Sequence, residues 1–148
     1  AGARPAGSLA ITAVRVEAGE PKMGVDVDER TIPQEAGLTD AAVAFDKGCF
    51  LGQELVARID SRGRVNRHLR GIVIGESVLP PASAELVVED KVVGTISSVA
   101  ESLELRAPVA LGLVRREVEP GDEVEVRWGG GSARAQVRRL PLDEFAVV

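Results

Sequence analysis

The spacing of apolar and polar positions changes character near residue 65. In the C-terminal part, Val124, Val126 and Trp128 alternate with Glu123, Glu125 and Arg127, and beyond Gly129-Gly-Gly-Ser132 the run from Ala133 to Arg138 resumes the alternation. A period of two sends one set of side chains into a core and the other into water, which predicts a hairpin with one wet face. Upstream, Arg67–Gly75, Leu86–Val88, Val92–Ser97 and Val109–Val114 are Val- and Ile-rich segments. They are divided by turn and breaker chemistry at Pro80-Pro81, Glu89-Asp90 and Pro108. Short strands at this spacing hide their edges by closing into a small antiparallel barrel or by folding into a two-layer sandwich, and the barrel is favoured.

Before residue 65 the apolar stretches are short and broken by Gly, Pro and acidic clusters. An Ala-rich run from Thr39 to Phe45 is compatible with a helix. A second helix is expected over Gly52–Ser61, where Leu55, Val56 and Ile59 fall at i, i+1 and i+4 and Gly63 provides a stop.

Composition narrows the chemistry. The 148 residues are 45% hydrophobic, 28% charged and only 3% aromatic, with a net charge of -5. A surface of stacking aromatics and a phosphate-neutralising charge are both missing, so nucleic acid is not an expected partner. No apolar run approaches the ~20 residues that span a bilayer, and a membrane partner is not expected either. Cys49 is the sole cysteine and His68 the sole histidine. A disulfide within the chain and a Cys/His metal site are thereby excluded, and a reducing, cytoplasmic setting is expected.

Three clusters remain as candidate chemistry. In Asp46-Lys-Gly-Cys-Phe-Leu-Gly-Gln-Glu54, a thiol at the entry to a helix feels unpaired N–H groups and the nearby Lys47, both of which favour thiolate. Gly48 and Gly52 let the backbone turn there, and Gln53 and Glu54 occupy the first helical turn. The bland alternative is a small buried hydrophobe at Cys49. In the second cluster, Arg15-Val-Glu-Ala-Gly19, Glu17 is of the type that accepts two hydrogen bonds from a heterocycle with adjacent N–H donors, as in pterin recognition. Its alternative is an ordinary ion pair with Arg15 or plain solvation. Asp26, Asp28 and Glu29 lack calcium-loop spacing and read as a solvated acidic turn. The third cluster, Arg58, Arg62, Arg64, Arg67, His68 and Arg70, could face an anion or simply pair with the acidic residues of 17–35.

The octet Lys47-Gly-Cys-Phe-Leu-Gly-Gln-Glu54 resembles the K-G-C-[FY]-x-G-Q-E signature of the YgfZ proteins, folate-binding relatives of the glycine-cleavage T-protein that assist iron–sulfur cluster assembly or repair. Arg15-Val-Glu-Ala-Gly19, Gly24-Val-Asp26 and Pro33-Gln-Glu35 are similar to the R-x-E-A-G, G-x-D and P-x-E elements of the wider superfamily. Val93–Ser97 and Leu113–Gly121 resemble its C-terminal barrel.

The resemblance implies an α+β chain. A partial T-protein-like folate-binding domain would span 8–65 and a C-terminal barrel 66–142. It implies tetrahydrofolate as cofactor, with Glu17 on the pterin and Arg15, Gly48, Gln53 and Glu54 around it. Cys49, assisted by Lys47, would be a reactive thiol toward client iron–sulfur proteins. The rival implication is a folate-dependent aminomethyltransferase of the T-protein type. Family members are considerably longer, so the chain resembles a C-terminal fragment whose folate site is incomplete and whose bared apolar surface favours self-association.

Overall fold

The computed structural model describes residues 2–49, 51–54, 56–57, 63 and 65–142. Helix α1 (Ser8–Ala18) and the single-turn α2 (Thr39–Ala42) precede six strands: β1 (Arg67–Ile74), β2 (Glu85–Val88), β3 (Lys91–Ser102), β4 (Ala107–Arg115), β5 (Glu123–Trp128) and β6 (Gly131–Arg138). The strands close into an antiparallel barrel in the order β1-β4-β3-β2-β5-β6. Closure falls to β1, which pairs β4 along one edge and β6 along the other. No helix among the described residues is long and apolar enough to cross a membrane.

The alternation read from the sequence is the inside–outside alternation of the barrel. Ile72, Ile74, Leu86, Ile96, Val114, Val124, Val126 and Val137 fill the interior with small alanines between them. Gly112 on β4 belongs to this economy of space: a Cβ there would sit 2.6 Å from the Thr95 carbonyl oxygen, and 3.4 Å from Leu86. The unbroken apolar run of β4 has a second cause. Ala110 and Val114 face the barrel, whereas Val109 and Leu111 face outward into another cluster with Val16, Leu69, Ala100 and Leu142. The strand is therefore apolar on both faces.

That outer cluster is where α1 docks, through Val16, its one fully buried residue. Gly19 ends the helix in the left-handed conformation at φ 73°. A Cβ at this position would also lie 2.6 Å from the Leu140 Cβ, so glycine both stops the helix and admits the C-terminal segment. The Leu142 amide then donates to the Glu17 carbonyl at 2.6 Å.

The six strands match the predicted segments closely, and Pro80-Pro81 lies in the connection between β1 and β2. The helices match less well. The sequence reading assigns no helix to 8–18, because Ile11, Thr12, Val14 and Val16 are β-branched and Leu9, Ile11 and Val14 are exposed, which blurs any single apolar stripe. The helix expected over 39–45 is confined to Thr39–Ala42. Of the helix expected over 52–61, residues 53, 54, 56 and 57 are helical, and its remaining part from 58 onward lies outside the described residues.

The predicted turn at Glu89-Asp90 is a two-residue hairpin between paired Val88 and Lys91, with φ of 47° and 60° at the two central positions. Type I′ geometry of this kind favours Asn first and Gly second, and a left-handed non-glycine residue is strained by roughly 1–2 kcal/mol. Glu89→Asn is expected to stabilise the chain by about 0.5–1 kcal/mol, leaving the Asp90–Arg127 contact in place. Thermal unfolding should show this as a rise of roughly 1–4 °C in Tm.

Candidate functional site

The candidate residues of the N-terminal part are held against the barrel by a compact polar knot. Arg15 on α1 donates through Nη1 to Asp26 Oδ2 at 2.6 Å and to the Glu20 carbonyl at 2.8 Å, and through Nη2 to Ser98 Oγ at 2.6 Å. Ser97 donates to Asp26 Oδ1 at 2.5 Å, and the Lys22 amide donates to Oδ2 at 2.9 Å. The Asp26 side chain is completely buried. Burial pushes its carboxyl upward, but the hydroxyls of Ser97 and Ser98, the Lys22 amide and the Arg15 charge outweigh this and hold it below the ordinary carboxylate value. Asp26 is therefore no part of a solvated acidic turn, which corrects the sequence reading. Asp28 and Glu29 are exposed as expected.

Two adjacent serines reach one carboxylate–guanidinium pair because β3 is irregular. Ile96 pairs Gly112 while Ser98 pairs Leu111, so Ser97 is an extra residue in a bulge. In a regular strand neighbouring side chains point to opposite faces; the bulge breaks that rule and presents both hydroxyls to the Arg15–Asp26 pair. Ser97 and Ser98 were not among the candidates read from the sequence. The sequence signal is two adjacent hydroxyl residues between the apolar Ile96 and Val99.

Glu17 lies two residues beyond Arg15 and is half-buried. Arg15 is engaged with Asp26, so the anticipated Arg15–Glu17 pair does not form. Nothing among the described residues bonds to the Glu17 carboxylate. A half-buried carboxylate on a braced helix, with its acceptor sites open, suits the adjacent N–H donors of a pterin.

The signature loop is accessible. Lys47, Gly48 and Cys49 are exposed, and the Cys49 thiol is free. Cys49 precedes the helical residues that begin at Gln53, which is half-buried, while Glu54 is exposed. The burial alternative for Cys49 is thus not realised. Gln34 and Glu35 tie this segment to the barrel. Gln34 Nε2 donates to the Val56 carbonyl at 2.9 Å, the Leu69 amide donates to the Glu35 carbonyl at 2.7 Å, and Arg67 pairs with the Glu35 carboxylate at 3.2 Å. Arg67 accordingly follows the ion-pair reading of the basic stretch. Arg58, Arg62 and Arg64 lie outside the described residues. His68 is held below its ordinary value by burial and by the Arg70 charge, against the opposing influence of Glu119 and Glu35.

The model of the glycine cleavage T-protein C-terminal barrel domain matches residues 67–143, the stretch that forms the barrel and its exit. The chain belongs to the glycine cleavage T-protein family. Among its relatives, the aminomethyltransferase of Pseudothermotoga lettingae is 33% identical over 141 residues, covering 95% of this chain and 38% of that protein. The aminomethyltransferase of Moorella thermoacetica is 34% identical over 143 residues, with 96% and 38% covered. The solved structure of glycine cleavage system aminomethyltransferase T from Bartonella henselae matches with a TM-score of 0.78 at 26% identity, over 90% of this chain and 38% of that one. This T-protein family chain therefore spans a little over a third of the length of these relatives. The similarity extends beyond the barrel across the helix, knot and signature loop.

Asp26 has a depressed folded-state pKa, so its stabilising contribution is fully present above the unfolded carboxylate value of about 3.9 and is lost as pH falls through that value toward the lower folded one. Asp26→Asn is expected to destabilise the chain by about 3 kcal/mol at pH 7, because it leaves Arg15 largely buried without its countercharge. Urea unfolding of both proteins from pH 7 to pH 3 should show the gap constant above about pH 5 and narrowing below it.

Proposed function

We propose that the chain is the C-terminal part of a tetrahydrofolate-dependent aminomethyltransferase of the glycine cleavage T-protein type. The observation that carries this is the open, half-buried Glu17 carboxylate on a helix whose neighbouring polar groups are paired, in a chain whose relatives bear the aminomethyltransferase name. In this reading residues 8–65 contribute part of a folate-binding domain and residues 66–142 form the barrel that braces it.

Each candidate residue then has a task. Glu17 accepts from adjacent N–H groups of the pterin and fixes its orientation, through charge-assisted bonds that are stronger than neutral ones. Arg15, expected from the sequence to lie beside the cofactor, acts by holding α1 against Asp26 and Ser98. Gly48, Gln53 and Glu54 flank the ligand from the signature loop. Tetrahydrofolate, when bound, supplies the acceptor for a one-carbon unit.

A second reading is favoured by one observation, the exposed thiol of Cys49 within a YgfZ-like octet. In it the chain serves iron–sulfur proteins of a reducing compartment such as the cytoplasm. Lys47 stands two residues before the thiol, and Cys49 bonds transiently to a group on a client. Retaining a cluster would normally take four protein ligands.

Both readings share the pterin carboxylate and diverge at the thiol. Tetrahydrofolate at 100 times its dissociation constant should stabilise the chain by ~2.7 kcal/mol in thermal unfolding. Glu17→Gln should weaken binding by about tenfold or more, the loss expected of a charge-assisted hydrogen bond. The pterin assignment fails if tetrahydrofolate stabilises Glu17→Gln as well as the unaltered chain. Cys49→Ser leaves folate affinity unchanged under either reading. Alkylation of Cys49 with iodoacetamide distinguishes them: a rate that rises well below the ordinary thiol pKa of about 8.5 supports the thiol-based role, and an ordinary profile removes its basis.

A further inference from the structure

The inward face of β1 ends on a charge. Along it, Ile74 and Ile72 lie opposite Ala135 and Val137 of β6, all four within the barrel core. The next residue on that face is Arg70, and Arg139 follows directly on Arg138, the partner of Gly71 and the last residue of β6. Two like charges, near enough for Arg139 to lower the basicity of Arg70, therefore stand in one cleft where the aliphatic pairs stop.

No hydrogen bond or ion pair among the described residues relieves this arrangement. Neither arginine side chain has a hydrogen bond or an ion pair, and the Arg70 Nε is buried with no acceptor at all. Burial lowers the basicity of Arg70, Glu119 supports it from a distance and Arg139 lowers it again. A buried donor left unpaired is a standing energetic cost that native structures seldom carry without a reason. Both arginines line a cleft of about 520 Å³, walled by Leu38, Leu69, Leu140 and the Glu119-Pro120 turn.

We propose that this cleft binds an oxyanion, the carboxylate or phosphate group of a small molecule, between Arg70 and Arg139. An anion seated there converts a repulsive pair into a bridge and supplies acceptors in the geometry that guanidinium forks prefer. The leucine and proline walls accommodate an apolar body attached to the anionic group. Glu20 and Glu119 on the cleft wall repel a second negative charge, so a singly charged carboxylate is favoured over a phosphate dianion. Neither Glu17 nor Cys49 lines the cleft, and the proposal stands apart from the folate reading.

The test is thermal unfolding of the full chain at constant ionic strength, with propionate or inorganic phosphate replacing chloride. Both anions should raise Tm saturably, propionate at the lower concentration. Arg70→Met and Arg139→Gln should each weaken the apparent affinity by about tenfold, and Glu119→Gln should strengthen it severalfold. Without added anion, Arg70→Met should be at least as stable as the unaltered chain, because it keeps the apolar stem and removes the unpaired donor. Its lost response then cannot be ascribed to unfolding. A saturable response to one anion alone supports the site and assigns its chemistry. Equal responses in the unaltered chain and Arg70→Met, or no response beyond chloride, overturn the proposal.

Discussion

Closure of the barrel rests on β1. Its two edges are both occupied, by β4 and β6, so the sheet has no free edge at the place where the first and last strands meet. The same strand divides the molecule's apolar material in two. Ile72 and Ile74 face the interior, while Leu69 faces the outer cluster that receives α1 and Leu142. Gly71, between them on the outer side, is passed closely by the Leu142 and Leu140 side chains. One eight-residue strand thereby closes the barrel and anchors the exit of the chain, while α1 is seated mainly on β3.

The polar knot follows from that seating. Packing Val16 against the barrel wall brings Arg15 down beside β3, where desolvation of a lone charge would be prohibitive. Asp26 supplies the countercharge, and the bulge at Ser97 supplies the hydroxyls that complete both groups. A buried ion pair is poor evidence for net stability, since aliphatic residues of the same volume often do as well. What the pair contributes here is register. It fixes one rotation of α1 against the barrel and so determines where Glu17 stands.

Strand positions were legible in the sequence because barrel walls alternate and turns carry their own chemistry: Val124 and Val126 against Glu123 and Glu125 left little choice. Helix α1 was not legible, because its apolar residues are distributed around the axis and only Val16 is deeply buried. Nor was the knot. Arg15 and Asp26 are eleven residues apart and Ser98 lies a further 72 beyond Asp26, while a bulge leaves no mark in the apolar pattern. Residue type and spacing made Glu17 and Cys49 candidates, and the resemblance gave each its role. Composition and periodicity alone would have left each with its ordinary structural reading.

Glu17, Arg70 and Arg139 differ from the charged residues that tie the N-terminal part to the barrel in having no hydrogen bond or ion pair among the described residues. Arg15, Asp26, Glu35 and Arg67 are each paired within the chain, and their placement is explained by folding alone. The former three are unpaired, and two of them are partly withdrawn from water. Folding gains nothing from a half-buried carboxylate without donors or from two unpaired arginines in one cleft. A sequence whose local choices otherwise agree with its fold departs from that agreement where something outside the chain supplies the missing partner. The unpaired charges have opposite signs, so each asks for a partner of different chemistry: hydrogen-bond donors for Glu17, acceptors for the two arginines. Even a single ligand meeting both would have to present its donors and its anionic group at different ends.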